Sequence, residues 1–102
     1  MKTKLLTIIN HYGINNQQRK LQEEVFELQQ ALIKYQEAEM FNDVSEDKII
    51  TLDLLEHDIT EEIADVCVLL MQFANYYKLN SADIGKIIWD KVNRQIERIN
   101  NE

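Results

Sequence analysis

Proline is missing from the 102 residues altogether, and glycine occurs only as Gly13 and Gly85. Average usage would supply about five prolines and seven glycines to a chain of this length. All-β and α/β folds depend on that punctuation for their turns, so its scarcity argues for a helical protein. Cysteine is nearly absent as well. Cys67 stands alone and permits no internal disulfide, which predicts a reducing, cytoplasmic setting. The longest apolar run, Val66 to Met71, has six residues, against about 20 for a membrane span. The apolar stretch after Met1 and Lys2 is too short for a signal peptide, and no small-residue cleavage site follows it. Basic residues are few: 11 Lys and Arg against 18 Asp and Glu give a net charge of −7. Phosphate backbones repel such a chain, so neither nucleic acid nor an anionic membrane is an expected partner. There is no GxxxxGK[ST] loop for P-loop chemistry.

What is present is apolar and periodic. Leu, Ile, Val and Phe supply 32 residues, enough to exclude intrinsic disorder and to build the core of one domain over 1–102. Leu5, Leu6, Ile8, Ile9 and Tyr12 predict a first helix near 3–12 that stops at Gly13. Asn15 or Asn16 can cap a second helix near 16–40, with a stripe of Leu21, Val25, Leu28 and Leu32. The segment 35–57 is strongly acidic, with seven carboxylates against Lys48. Within it, 42–47 reads as a loop, and Ser45 as the cap of a short helix holding Ile49, Ile50, Leu52 and Leu55. Asp58 and Glu61 resemble a capping box that opens a third helix near 59–78. Its stripe is Ile59, Val66, Leu70, Phe73 and Tyr77. A fourth helix near 82–100 follows a cap at Asn80 or Ser81, and Gly85 inside it predicts close helix packing. The fold class is therefore all-α, a four- to five-helix bundle. The third helix is apolar almost all round, with Ala64, Val68 and Met71 opposite the stripe, so the bundle is expected to be completed by oligomerisation.

Two segments share a pattern. Glu23-Glu24-Val25-Phe26-Glu27-Leu28 and Glu61-Glu62-Ile63-Ala64-Asp65-Val66 both read acid, acid, apolar, any, acid, apolar. At about 100° per residue, Glu24 and Glu27 share one side of a helix, and the apolar stripe begins about 40° away. Glu62 and Asp65 take the same relative places. If the two stripes pack together, Glu24, Glu27, Glu62 and Asp65 converge beside the core. Converging like charges at a partly dry site are costly unless a cation neutralises them. An all-oxygen set of this kind suits Mg²⁺, with Mn²⁺ as the alternative, and Mg²⁺ is usually completed by substrate phosphates. The bland readings are a solvated acidic face and, for Glu61 and Glu62, a favourable helix N-terminus.

Glu23-Glu24-x-x-Glu27 followed by Glu62-x-x-Asp65 resembles the EExxE…ExxD signature of the MazG-like, all-α nucleoside triphosphate pyrophosphohydrolases. The likeness extends from about Gly13 to Arg98 and includes Lys20-Leu-Gln-Glu-Glu and Thr60-Glu-Glu-Ile-Ala-Asp-Val. It implies that Glu24, Glu27, Glu62 and Asp65 are metal ligands and that Glu23 assists the attacking water or orients a ligand. Lys91-Val-x-Arg94 loosely resembles the late basic segment of the family, which would place Lys91 and Arg94 against substrate phosphates. The implied activity is Mg²⁺-dependent hydrolysis of the α–β bond of a (deoxy)nucleoside triphosphate to monophosphate and pyrophosphate, in nucleotide-pool house-cleaning or control. The implied assembly is a homodimer or tetramer. The gap of 34 residues between Glu27 and Glu62 marks 35–57 as an acidic insertion. A different class of function fits the same charges: a non-catalytic helical module whose acidic face binds a protein partner.

The remaining residues carry weaker signals. Lys91 can equally snorkel past the core edge, and Arg94 can pair with Asp90 four residues before it. His11 and His57 lack ligand spacing. Cys67 reads as core packing. Phe26, Tyr76, Tyr77 and Trp89 fit a core, an interface or a stacking surface for a base.

Overall fold

The computed structural model describes residues 1–40 and 46–102 of the chain. Four helices follow in order: α1 (Lys2–Tyr12), α2 (Ile14–Glu39), α3 (Glu46–Tyr76) and α4 (Ser81–Asn100). No strand occurs among the described residues, in agreement with the all-α expectation. Ser45 and most of the expected loop lie outside the described residues, while Glu46 and Asp47 already form the first turn of α3.

Gly13 alone separates α1 from α2. Its φ of 90° and ψ of 147° fall where side chains clash, and its N–H still donates to Ile9 O at 2.8 Å. The chain thus changes direction within one residue. Neither Asn15 nor Asn16 caps α2, which starts at Ile14 without a side-chain cap; Asn16 Nδ2 instead donates back to Tyr12 O at 2.6 Å. α3 also departs from expectation, because it runs unbroken through Asp58. Leu52, Leu55 and Ile59 keep one inward spacing across the expected break, and no glycine or proline interrupts it. A capping-box sequence does not end a helix whose buried face continues. α3 closes on a Schellman motif, with Leu79 N–H donating to Ala74 O at 2.8 Å and Lys78 N–H to Asn75 O at 3.1 Å. Lys78 takes the left-handed position at φ 56°. Asn80 caps α4 as expected, accepting from the N–H groups of Ala82 at 2.8 Å and Asp83 at 3.3 Å.

α2 and α3 form an antiparallel hairpin. A hydrogen bond from Gln17 to Gln72 (2.8 Å) ties one end, and one from Tyr35 to Glu56 (3.0 Å) ties the other, within the acidic segment. The inward residues of α2 are Gln17, Leu21, Glu24, Leu28, Ala31 and Tyr35. Those of α3 are Leu52, Leu55, Ile59, Glu62, Val66, Leu69 and Phe73, with buried Gln72 beside the last. Steps of four and three alternate along both, the spacing of a coiled-coil seam. The expected stripes were displaced by one residue in places. Val25, Leu32, Leu70 and Tyr77 are 38, 43, 51 and 54 % exposed, whereas Glu24, Ala31 and Leu69 are buried. Counting from apolar residues alone turned each helix away from a seam that contains a carboxylate. α1 lies across α2 and α3 and inserts Leu5 and Ile9, the latter 1 % exposed and worth about 1.5–3 kcal/mol of burial.

α4 buries no residue. Ile87, Ile88, Trp89, Val92, Ile96 and Ile99 stand open on it, and nothing lies within 4 Å of where a Cβ on Gly85 would be. The close packing expected at Gly85 is therefore absent from the single chain. Cys67, expected in the core, is exposed. The chain exposes 8406 Å², while a folded monomer of this mass exposes about 6000 Å². Its radius of gyration is 17.9 Å, against about 13 Å for a compact domain of this length.

Candidate metal centre

The hairpin register decides which carboxylates meet. Glu24 occupies a seam position of α2 and is 6 % exposed. Glu62 occupies a seam position of α3 and is half-buried, with Asp65 one turn further on and exposed. One carboxylate oxygen from each of Glu24, Glu62 and Asp65 lies within 4.8 Å of the others. Glu24 Oε1 accepts from Lys20 Nζ at 2.9 Å. Glu24 Oε2 and Glu62 Oε2 are buried with no hydrogen-bond partner. Lys20 thus answers Glu24 alone of the three carboxylates, and two dry oxygens have nothing to accept from. Orphaned acceptors of that kind cost free energy that seam packing must offset.

The charges act on one another. The hydrogen bond from Lys20 holds the Glu24 carboxyl below the usual range, and the same bond raises Lys20. Burial pushes Glu62 up, with repulsion from Glu27 added. Glu27 is raised chiefly by the charge of Glu24. The four acids named by the sequence are therefore one electrostatic neighbourhood, although Glu27 stands outside the tight group of three oxygens. Glu27 lines an adjoining hollow with Lys34, Asp58, Glu61 and Glu62.

The other expected residues lie elsewhere. Glu23 is exposed on the flank of α2, bordering one hollow with Arg19, Gln22 and Phe26 and another with Gln17 and Lys20. Lys91 and Arg94 are exposed on α4, which does not pack on the hairpin. Asp90 pairs with Lys86 at 3.2 Å, not with Arg94. His57 pairs with Glu61 at 3.1 Å on the exposed face. Phe26 and Trp89 are 60 and 66 % exposed and belong to no core.

Three residues beside the cluster carried no role in the sequence reading. Lys20 was recoverable from its place four residues before Glu24. Gln17 and Gln72, buried to 7 and 2 % exposure, were not, because an isolated glutamine in a helix reads as surface. Together with Lys20, Glu24, Asp65, Val68 and Leu69 they line a cavity of about 350 Å³.

The donor set fits a hard divalent cation: the candidate ligand atoms are all carboxylate oxygens on two packed helices, and Glu24 and Glu62 each carry a buried oxygen without a partner. Comparison with protein-family models, with curated proteins and with solved structures finds no match to this chain.

Proposed function

We propose that the chain is a Mg²⁺-dependent nucleotide pyrophosphohydrolase of the MazG-like kind, which cleaves the α–β phosphoanhydride of (deoxy)nucleoside triphosphates in nucleotide-pool house-cleaning or control. The observation that carries this reading is the pair of buried, unpartnered oxygens, Glu24 Oε2 and Glu62 Oε2, beside Asp65. A merely solvated acidic face would leave its oxygens to water. Glu24, Glu62 and Asp65 would hold the cation, with Glu27 alongside to complete the set. Bound there, Mg²⁺ supplies charge neutralisation for a phosphate chain and a water of lowered pKa.

The chain's own groups do the rest. Glu24 and Glu62 fix the ligand oxygens on rigid helices, and the apolar seam behind them keeps bulk water from that side. Lys20, held at Glu24, offers a cation to phosphate oxygens at the rim of the cavity. Glu23, the proton acceptor implied by the motif, shares a hollow with Lys20 and Gln17. Lys91 and Arg94 lie on α4, which does not pack on the hairpin, so their part in phosphate binding calls for a second copy that brings α4 over the site. The surplus of exposed surface and the open apolar face of α4 support a homodimer or tetramer built in that way. Attack at the α-phosphorus places the water oxygen on the monophosphate and expels pyrophosphate whole.

The same open face of α4 favours one other reading, a non-catalytic module that binds a protein partner. A nucleotide panel separates the two. With Mg²⁺, pyrophosphate should be released from at least one nucleoside triphosphate, and in ¹⁸O-water the label should enter the monophosphate alone. Absence of any release across the panel, or label in the leaving group, would overturn the proposal.

A further inference from the structure

We infer that the Gln17–Gln72 pair reads the edge of the nucleobase and accepts that edge in either polarity, an assignment that rests on the nucleotide reading above. Gln17 Nε2 donates to Gln72 Oε1 at 2.8 Å. Each primary amide carries both a donor and an acceptor group, so the pair retains Gln17 Oε1 as an acceptor and Gln72 Nε2 as a donor. Neither is among the buried unpartnered atoms, although both residues are more than nine-tenths buried. These two atoms therefore keep some solvent access, and both residues line the cavity of about 350 Å³, a size ordinary for a small-molecule site. The cavity runs to Glu24 and Asp65 at its other side and is walled by Val68 and Leu69. Gln17 precedes Glu24 by seven residues and Gln72 follows Asp65 by seven. The amides thus sit about 10 Å along both helices from the carboxylates. That separation matches a nucleoside whose phosphates lie at the acids and whose base lies flat on the apolar wall.

The pairing edge of every common base offers a donor beside an acceptor. If both amides turn over together, the bond between them survives in reverse, and the free donor and acceptor change places. One pair can therefore serve bases of both hydrogen-bonding orders, which makes the site a reader of "base present" with little discrimination among bases.

The test measures binding to the wild-type protein and to the Gln17→Met/Gln72→Met double variant in Mg²⁺. Calorimetry would use α,β-methylene analogues of the four common nucleoside triphosphates and base-free ribose 5-triphosphate. Replacing both amides by side chains of similar shape preserves the seam. Wild type should bind the four base-bearing ligands with similar strength and about tenfold more tightly than the base-free one, a difference near 1.4 kcal/mol. The double variant should bind all five as wild type binds the base-free ligand. Gln72→Glu, left with two acceptors at the cavity, should favour guanine, whose edge sets the N1–H donor beside the N2 amino group. A double variant that keeps the full preference for base-bearing ligands overturns the assignment and leaves the pair a register device, while the nucleotide reading stands. Wild type that binds none of the five overturns both.

Discussion

Removing one member of the Gln17–Gln72 pair should cost more than removing both. Gln17→Met leaves the Gln72 amide, 2 % exposed, without the donor now 2.8 Å from its oxygen. Stranding a buried amide costs about 1–3 kcal/mol. Gln72→Met strands Gln17 instead, which is 7 % exposed and nearer to cavity water, so its cost should fall at the lower end of that range. The double variant strands nothing and packs two flexible thioethers into the seam, so it should return to within about 1 kcal/mol of wild type. The coupling energy is then about 1–3 kcal/mol in favour of the matched pairs. In a domain of this size each kcal/mol moves Tm by about 4–8 °C. Urea denaturation of the four proteins at one protomer concentration reads the cycle directly and keeps mass-action effects of assembly constant. Single-variant losses that add to within about 0.5 kcal/mol in the double variant would refute the reasoning, because they would mean that the two amides do not depend on one another.

Four further outcomes follow from other parts of the structure. Lys78 sits in left-handed geometry at φ 56°, so Lys78→Gly should raise stability by about 1 kcal/mol, seen as a Tm several degrees higher. Asp65→Asn removes a like charge from the cluster; in EDTA its Tm should equal or exceed wild type, while the Tm gain on adding Mg²⁺ and the release of pyrophosphate should both disappear. Burial raises Glu62 and the charge of Glu24 raises Glu27, so the stability they contribute is full below the ordinary carboxylate value and is lost as pH rises through their raised values. In EDTA the advantage of Glu62→Gln over wild type should accordingly be largest near neutral pH, vanish in acid, and be abolished at neutral pH by Mg²⁺. Light scattering should report a dimer or larger, and Ile88→Glu with Val92→Glu on the open face of α4 should yield a smaller species; a folded wild-type monomer of 12.1 kDa at micromolar concentration would count against assembly.

Composition made the helical class legible, and apolar spacing located α1, α2, α4 and the end of α3 to within a few residues. Gly13 is the clearest instance: the only non-helical residue between α1 and α2 is one that tolerates its φ. The false break at Asp58 arose because capping is a local preference of about 1 kcal/mol. The seam of Leu52, Leu55 and Ile59 gains more than that by continuing through it. α4 was misjudged at Gly85 for a related reason. A strongly amphipathic helix announces that it will be covered, but its sequence does not say whether the cover belongs to the same chain.

The candidate site was legible to the extent that it follows from one turn of helix. Glu24, Glu62 and Asp65 meet because their spacing along α2 and α3 is helical and the two helices pack. The depth of Glu24 was not legible, since its burial depends on the register of the hairpin. That register is held partly by two polar ties, Gln17 with Gln72 and Tyr35 with Glu56, which apolar periodicity does not count. The same register sets Glu24 against Glu62 in the seam, where leucines would be more stable. A seam that strands two carboxylate oxygens while Lys20 answers only one of its acids is a local conflict in an otherwise consistent hairpin. Such conflicts persist where something outside the chain relieves them. A hard cation would relieve this one with three carboxylates already gathered, and the stability given up in the bare protein would become part of the affinity for it.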